Sequence, residues 1–111
     1  MIKVATLIAF VLSPVRVQVC STQHSCVGFH WSSPRNYYLE CRDDGVCDGM
    51  TVHCGAGDCT VDVKGEVTDL RIDARNVKGV FELKCNGKCT SAEIQCGGGE
   101  CHCSSCNQHV K

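Results

Sequence analysis

The 111-residue chain has no block of basic residues, no acidic tail and no N-x-S/T sequon. Its 11 Lys and Arg against 12 Asp and Glu leave a net charge of -1, with both signs interspersed. A nucleic-acid partner therefore has no electrostatic footprint to hold it, and N-glycosylation is not expected. Helical periodicity is missing after residue 19, so the alternating segments described below must be read as strands. Only Val4 to Leu12 forms an apolar run of signal-peptide length; it is too short to span a bilayer, and no longer one follows. No membrane span is expected.

Cysteine is what the chain has in excess. Twelve in so short a chain indicate a disulfide scaffold of an oxidising, extracellular space. Residues 1–19, MIKVATLIAFVLSPVRVQV, read as a signal peptide with Lys3 in its basic region. Cleavage before Cys20 keeps an even number of cysteines, whereas cleavage after Ser21 leaves an odd one. The expected organisation is a leader (1–19), an N-terminal cap or flank (20–40), a cysteine-rich β-repeat domain (41–106) and a short tail (107–111). About 90 residues then remain, enough for one thin-cored domain.

Internal similarity is the strongest signal. LECRDDGVCDGMTVHCGAGDCTVDV (39–63) aligns with LKCNGKCTSAEIQCGGGECHCSSC (83–106), matching Cys41 with Cys85, Cys47 with Cys89, Cys54 with Cys96 and Cys59 with Cys101. The last three pairs share an offset of 42 residues, and the C-G-x-G-acid-C corner recurs as CGAGDC and CGGGEC.

Between the cysteines the chain alternates with period two, the mark of strands with one buried face. Met50, Val52 and Cys54 alternate with Thr51 and His53; Val61 and Val63, then Leu70, Ile72 and Ala74, then Phe81, Leu83 and Cys85, then Ile94 and Cys96 continue the pattern. Gly, Asn and Asp separate these runs, and strand centres recur about every ten residues. The alternatives are an antiparallel, disulfide-rich β-sandwich and a solenoid. An offset of 42 favours the second, as two coils of about 21 residues with two strands each. The fold expected is an all-β, disulfide-stapled, parallel β-helix-like solenoid of about three two-strand coils. That stacking places Cys54, Ala74 and Cys96 above one another, and likewise Val63, Leu83 and Cys103.

The hydrophobic-x-Cys alternation, the short Cys-to-Cys corners and the stretch VTDLRIDARNVKGVFELKC give residues 39–106 a resemblance to the cysteine-rich, short-coil β-helix repeats of secreted and cell-surface proteins. The resemblance implies fold rather than activity. Polysaccharide-cleaving β-helices are longer and carry a groove for which so few coils leave little room.

Nearest-neighbour pairing would join Cys20 to Cys26, Cys41 to Cys47, Cys54 to Cys59, Cys85 to Cys89, Cys96 to Cys101 and Cys103 to Cys106; bridging across coils, as from Cys41 to Cys85, is the alternative. The tail spacing of Cys101, Cys103 and Cys106, with His109 close by, could instead hold zinc, but oxidised cysteines and no metal or other cofactor are the main expectation. Asp58 and Glu100 are out of register for glycine-rich calcium coils and read as solvated turn acids. His24, His30, His53, His102 and His109 are scattered, and no free nucleophile is required, so no enzyme is expected. Asp62, Asp73 and Glu82, interleaved with Lys64, Arg71, Arg75 and Lys84, read as surface charge pairs, with a hydrolase face as the alternative.

Phe29, Trp31, Tyr37 and Tyr38 are four of the five aromatics outside the leader. They are expected to pack as a cap or to form an exposed patch for a protein or glycan. The function expected is a secreted, non-enzymatic structural or surface-interaction module, self-associating into homo-oligomers through solenoid ends. A toxin-like effector acting through 27–40, or a metal-binding protein, is the alternative.

Overall fold

Strands with one apolar face must cover it, and this chain does so by coiling. The computed structural model describes residues 15–104 and 109–110, and no helix occurs among them. Strands β1 (Arg16–Cys20), β3 (Tyr37–Cys41), β5 (Cys59–Val63), β8 (Val80–Cys85) and β11 (Glu100–Ser104) stack in that order into one parallel sheet. Strands β2 (His30–Ser33), β4 (Thr51–Cys54), β7 (Arg71–Ala74), β10 (Glu93–Cys96) and β12 (His109–Val110) make the second. A narrow third side holds β6 (Glu66–Thr68) paired with β9 (Lys88–Thr90). In earlier turns this side continues through pairs of backbone bonds, from the Cys26 and Gly28 amides to Val46 O and Asp48 O and from the Gly45 and Gly49 amides to Glu66 O and Thr68 O, at 2.8 to 2.9 Å.

The fold is a parallel β-solenoid of about four turns. Registers such as Arg16 beside Tyr37, Tyr37 beside Cys59, Cys59 beside Phe81 and Phe81 beside Cys101 set the turn length at 20 to 22 residues. There is one turn more than expected because residues 16–36 form the first. The segment read as leader-end and flank thus contributes β1, β2 and the start of β3.

One corner repeats a left-handed residue in every turn: Gly28, Gly49, Asp69 and Ser91 have φ of 70°, 67°, 59° and 56°. A left-handed residue turns the chain sharply into the second sheet at little cost for glycine and at modest cost for Asp or Ser. Immediately after it, Met50, Leu70 and Ala92 are each fully buried.

The core is a set of vertical columns. Leu39, Val61 and Leu83 stack in the first sheet, and Val52, Ile72 and Ile94 in the second. Cys96 lies beside Ala74, and His53 beside Asp73 brings Cys54 onto the same column, as expected. The other expected column is displaced by two residues: Leu83 stacks between Val61 and Cys103, while Val63 lies between Cys41 and Cys85. Turns of 20 and 22 residues differ by one side-chain period, which moves the partner without turning it outward.

Five bridges clip the corners: Cys20–Cys26, Cys41–Cys47, Cys54–Cys59, Cys85–Cys89 and Cys96–Cys101, with Cα separations of 5.7 to 6.4 Å. At the corner between the second and first sheets they alternate with an aromatic and a small residue. Ser33 and Tyr37, Cys54 and Cys59, Ala74 and Phe81, then Cys96 and Cys101 follow one another up the stack. At the other corner Val63 and Val67 take the place of a bridge between Cys41–Cys47 and Cys85–Cys89. The third turn, unstapled within itself, is filled by Val61, Val63, Val67, Leu70 and Ile72. Bridge and apolar bulk are interchangeable ways of closing a corner, each contributing on the order of 2 kcal/mol.

Carboxylates and one amide bind adjacent turns together outside the core. Asn36 Oδ1 accepts the Asp58 amide, Asp58 Oδ1 accepts the Val80 amide, and Asp44 and Asp48 accept those of Glu66 and Thr68, at 2.8 to 2.9 Å. Asp58, expected as a solvated turn acid, is therefore an acceptor for the turn above it. The Cys54–Cys59 corner carries Gly55 because a Cβ there would collide with the backbone of Ser33 and Pro34 one turn below.

Candidate interaction surface at the N-terminal turn

A solenoid's first turn has its inward residues covered from one side only, so their character decides what that end can do. Phe29 occupies the position filled in later turns by Met50, Leu70 and Ala92, following the left-handed Gly28. Those three are fully buried, whereas Phe29 is 48% exposed. Trp31 points inward beside Val52, is only partly buried, and lies 6.4 Å from the Phe29 ring. On the opposite sheet the inward places of β1 fall to Arg16 and Gln18, beside Tyr37 and Leu39. The Arg16 guanidinium reaches across to lie 5.7 Å from the Trp31 ring, a cation–π arrangement between the two sheets.

Val15, Val17, Val27 and Phe29 are four of the five exposed large apolar residues in the described chain, the fifth being Val80. Val17 faces outward from β1 beside Tyr38, and Val27 follows the Cys20–Cys26 clip on the third side. Apolar groups therefore surround this turn on all three sides.

The four aromatics singled out from sequence separate here into two pairs. Phe29 and Trp31 belong to the open end. Tyr37 is buried beside Cys59 and fills a corner, with its hydroxyl among the buried polar atoms that lack a partner, as does Trp31 Nε1. Burial pushes the Tyr37 phenol up to about 12, slightly opposed by Arg16. Tyr38 faces outward, and its hydroxyl donates to Asp62 Oδ2 at 3.1 Å; partial burial, that bond and the negative charge of Asp62 and Glu40 raise its pKa.

Asp62 also accepts from Asn86 Nδ2 at 3.2 Å and is 8% exposed, which removes it from the set of plain surface ion pairs. Glu40, equally buried, accepts from Arg42 Nε at 2.8 Å and lies 3.5 Å from Lys64 Nζ. The Arg42 bond and then the Lys64 charge lower its pKa against the effect of burial. Asp73 is paired with Arg75, two residues on and just beyond the end of β7, at 2.9 Å, and His53 Nδ1 on the adjacent strand is 3.5 Å away. The Arg75 bonds hold the Asp73 carboxyl well below the usual carboxylate range, although burial works against them. Glu82 lies 4.0 Å from Lys84, again two residues along one strand. Three of these charge pairs join residues two apart along the chain, while His53–Asp73 and Lys64–Glu40 join adjacent turns.

Thr51, His53, Arg71, Asp73, Glu93 and Gln95 line a shallow, open cleft on the second sheet. Its acid nearest a histidine is already committed to Arg75, a poor arrangement for a general base, which needs a pKa near neutrality. No group of three or more His, Cys, Asp or Glu suited to a metal occurs among the described residues. Of the tail residues considered for zinc, Cys101 is joined to Cys96; Cys106, and with it the expected Cys103–Cys106 bridge, lies outside the described residues, as does the His109 side chain.

The solenoid and its corner bridges define the chain as a small cysteine-rich β-solenoid protein. Comparison with protein-family profiles, curated proteins and solved structures finds no match. Val15, Arg16 and Val17, which complete the open end, were assigned from sequence to the leader. The repeat extends into this segment: Cys20 and Cys26 precede Cys41 and Cys47 by one 21-residue turn, and RVQVC alternates like the strands that follow.

Proposed function

We propose that the protein is a secreted, non-enzymatic interaction module: a rigid stapled solenoid that engages its partner through the N-terminal turn. The observation that carries this reading is the concentration of exposed apolar residues there, with core-phase Phe29 and Trp31 left partly uncovered. Five corner bridges favour an extracellular setting and make the end a rigid surface, so little ordering cost accompanies docking. The non-enzymatic part rests on the charged groups of the sheets being satisfied by one another.

Self-association by end stacking is the simplest form such docking takes. Light scattering over a wide concentration range tests it, comparing Phe29→Ser at the end with Val80→Ser on the fourth turn. Association that weakens with Phe29→Ser alone supports docking through this turn; association that is equal in both variants refutes it.

A further inference from the structure

Charge divides this molecule more sharply than its near-zero total indicates. All 12 Asp and Glu lie at Glu40 or beyond, so the first 39 residues contain none. The signs are interspersed only from the second turn onward. Residues 15–39, the first turn and the start of the next, carry Arg16, Arg35, His24 and His30, all exposed. The same stretch presents Val15, Val17, Val27 and Phe29, exposed by 53%, 60%, 53% and 48%. The solenoid is therefore bipolar, with a cationic apolar end and an acidic body.

We propose that the N-terminal turn docks end-on to an anionic phospholipid surface. This deepens the reading of that turn as the docking site, and rests on it. Three observations favour lipid as the occupant. The apolar groups surround the end on all three sides, so a partner laid against one lateral face leaves some of them wet, whereas entry into a headgroup layer covers them together. The partly buried Trp31 ring has the exposed Arg16 guanidinium over its face, so an aromatic surface and a cation stand together at this end, a combination suited to the boundary between acyl chains and headgroups. The absence of acids on this turn lets a negative surface attract it while the acidic body is turned away. Nothing here requires a span: the site lies on the membrane.

Trp31 is the only tryptophan in the chain and sits within the docking turn, so its fluorescence reports on the site directly. The full chain with intact bridges is titrated with vesicles of phosphatidylcholine, with and without phosphatidylglycerol, and with brominated phosphatidylcholine as a depth-dependent quencher. The expected result is blue-shifted, bromine-quenched emission with the anionic vesicles, reversed by salt. Val17→Ser with Phe29→Ser lowers the partition coefficient roughly tenfold, and Arg16→Gln lowers it roughly fivefold. Val80→Ser and Lys88→Gln leave it unchanged. Non-reducing mass confirms the bridges in every variant, and Arg16→Gln, an exposed change, keeps the test informative should the double variant fold poorly. Emission unaltered by anionic vesicles overturns the proposal. So does binding that is equal in wild type and both end variants, which would assign it to residues 1–14 alone. Light scattering that shows vesicle-free association lost with Phe29→Ser, together with no vesicle binding, overturns the lipid partner while leaving the docking turn in place.

Discussion

Tyr37 allows a test with two linked readouts. Its ring fills the corner that a bridge closes one turn above and Phe81 closes two turns above, but its hydroxyl is buried without a hydrogen-bond partner. An unsatisfied buried hydroxyl costs roughly 1 to 3 kcal/mol, and Phe81 shows that the column accepts a ring without one. Tyr37→Phe is therefore expected to stabilise the protein by about 1 kcal/mol at neutral pH. The second readout is alkaline. Burial raises the phenol to about 12 from 10.0, so between these values the unfolded chain loses its proton while the native state keeps it. The associated stability is fully present below pH 10, declines as pH rises towards 12 and then levels off. At roughly 1.4 kcal/mol per unit, the total loss is about 2 to 3 kcal/mol. Urea unfolding at a series of pH values, with brief alkaline exposure and a count of bridges by mass, measures both effects. Tyr38, whose pKa is also raised, contributes a slope of its own, so Tyr38→Phe and the double variant serve as references. If Tyr37→Phe is destabilising by more than about 1 kcal/mol at neutral pH, the hydroxyl has a partner and the reasoning fails. Equal alkaline slopes in wild type and Tyr37→Phe would refute it as well.

The two adjacent glycines of CGGGEC should behave oppositely. A Cβ at Gly97 would strike the Arg75 backbone, whereas one at Gly98 meets open space, so Gly97→Ala is expected to cost about 1 to 3 kcal/mol in urea unfolding and Gly98→Ala almost nothing. Because Val63 stacks between Cys41 and Cys85, and Val67 beside Cys89, Val63→Cys with Val67→Cys should oxidise to an additional bridge, visible as a loss of two hydrogens by mass; two persistent thiols would show that the register is wrong. Cys54→Ala with Cys59→Ala should lower stability by roughly 2 kcal/mol from loop closure alone, and a cavity adds to this. At acid pH the lowered pKa values of Glu40 and Asp73 make their contribution present above their unfolded values of 4.5 and 3.8 and lost as pH falls below them. Glu40→Gln and Asp73→Asn should therefore each flatten the acid limb of a urea-midpoint profile, and an unchanged limb would contradict the pairing.

Much of this architecture was legible in the sequence because period two and period 21 are independent of one another. Alternation at Val52, Ile72 and Ile94 identified the inward face, and the 42-residue offset of the cysteines revealed the same corner two turns apart. Local cysteine spacing also led to the five neighbouring pairs joined in the structure. The third side was hidden because β6 and β9 are three residues long and their counterparts in earlier turns are held by only a pair of backbone bonds each, too short for any alternation. The displaced Val63 column was hidden because corner loops lengthen and shorten the turn by a residue or two. Asp58 is an exposed turn acid as expected, but its further role as an acceptor was hidden because it depends on an amide 22 residues away, which only the register supplies. The first turn was harder to read because β1 falls in the segment expected as a leader, and its alternation counts as a strand only when set beside the turn above it.

The five bridges share a property that bears on how the molecule comes apart. Each closes over a sequence separation of only four to six residues, and none among the described residues ties a strand to the strand stacked on it. Oxidation can therefore proceed locally, before any turn has found its neighbour, and the chain can then wind up from wherever two turns first meet. Pulled from its ends, the protein resembles a spring with crimped corners. Successive turns would peel away one at a time, each held only by its backbone bonds and its share of the core, while the residues inside each crimp stay out of the released length. Reduction should lengthen the extension steps measured by single-molecule force spectroscopy without changing their number.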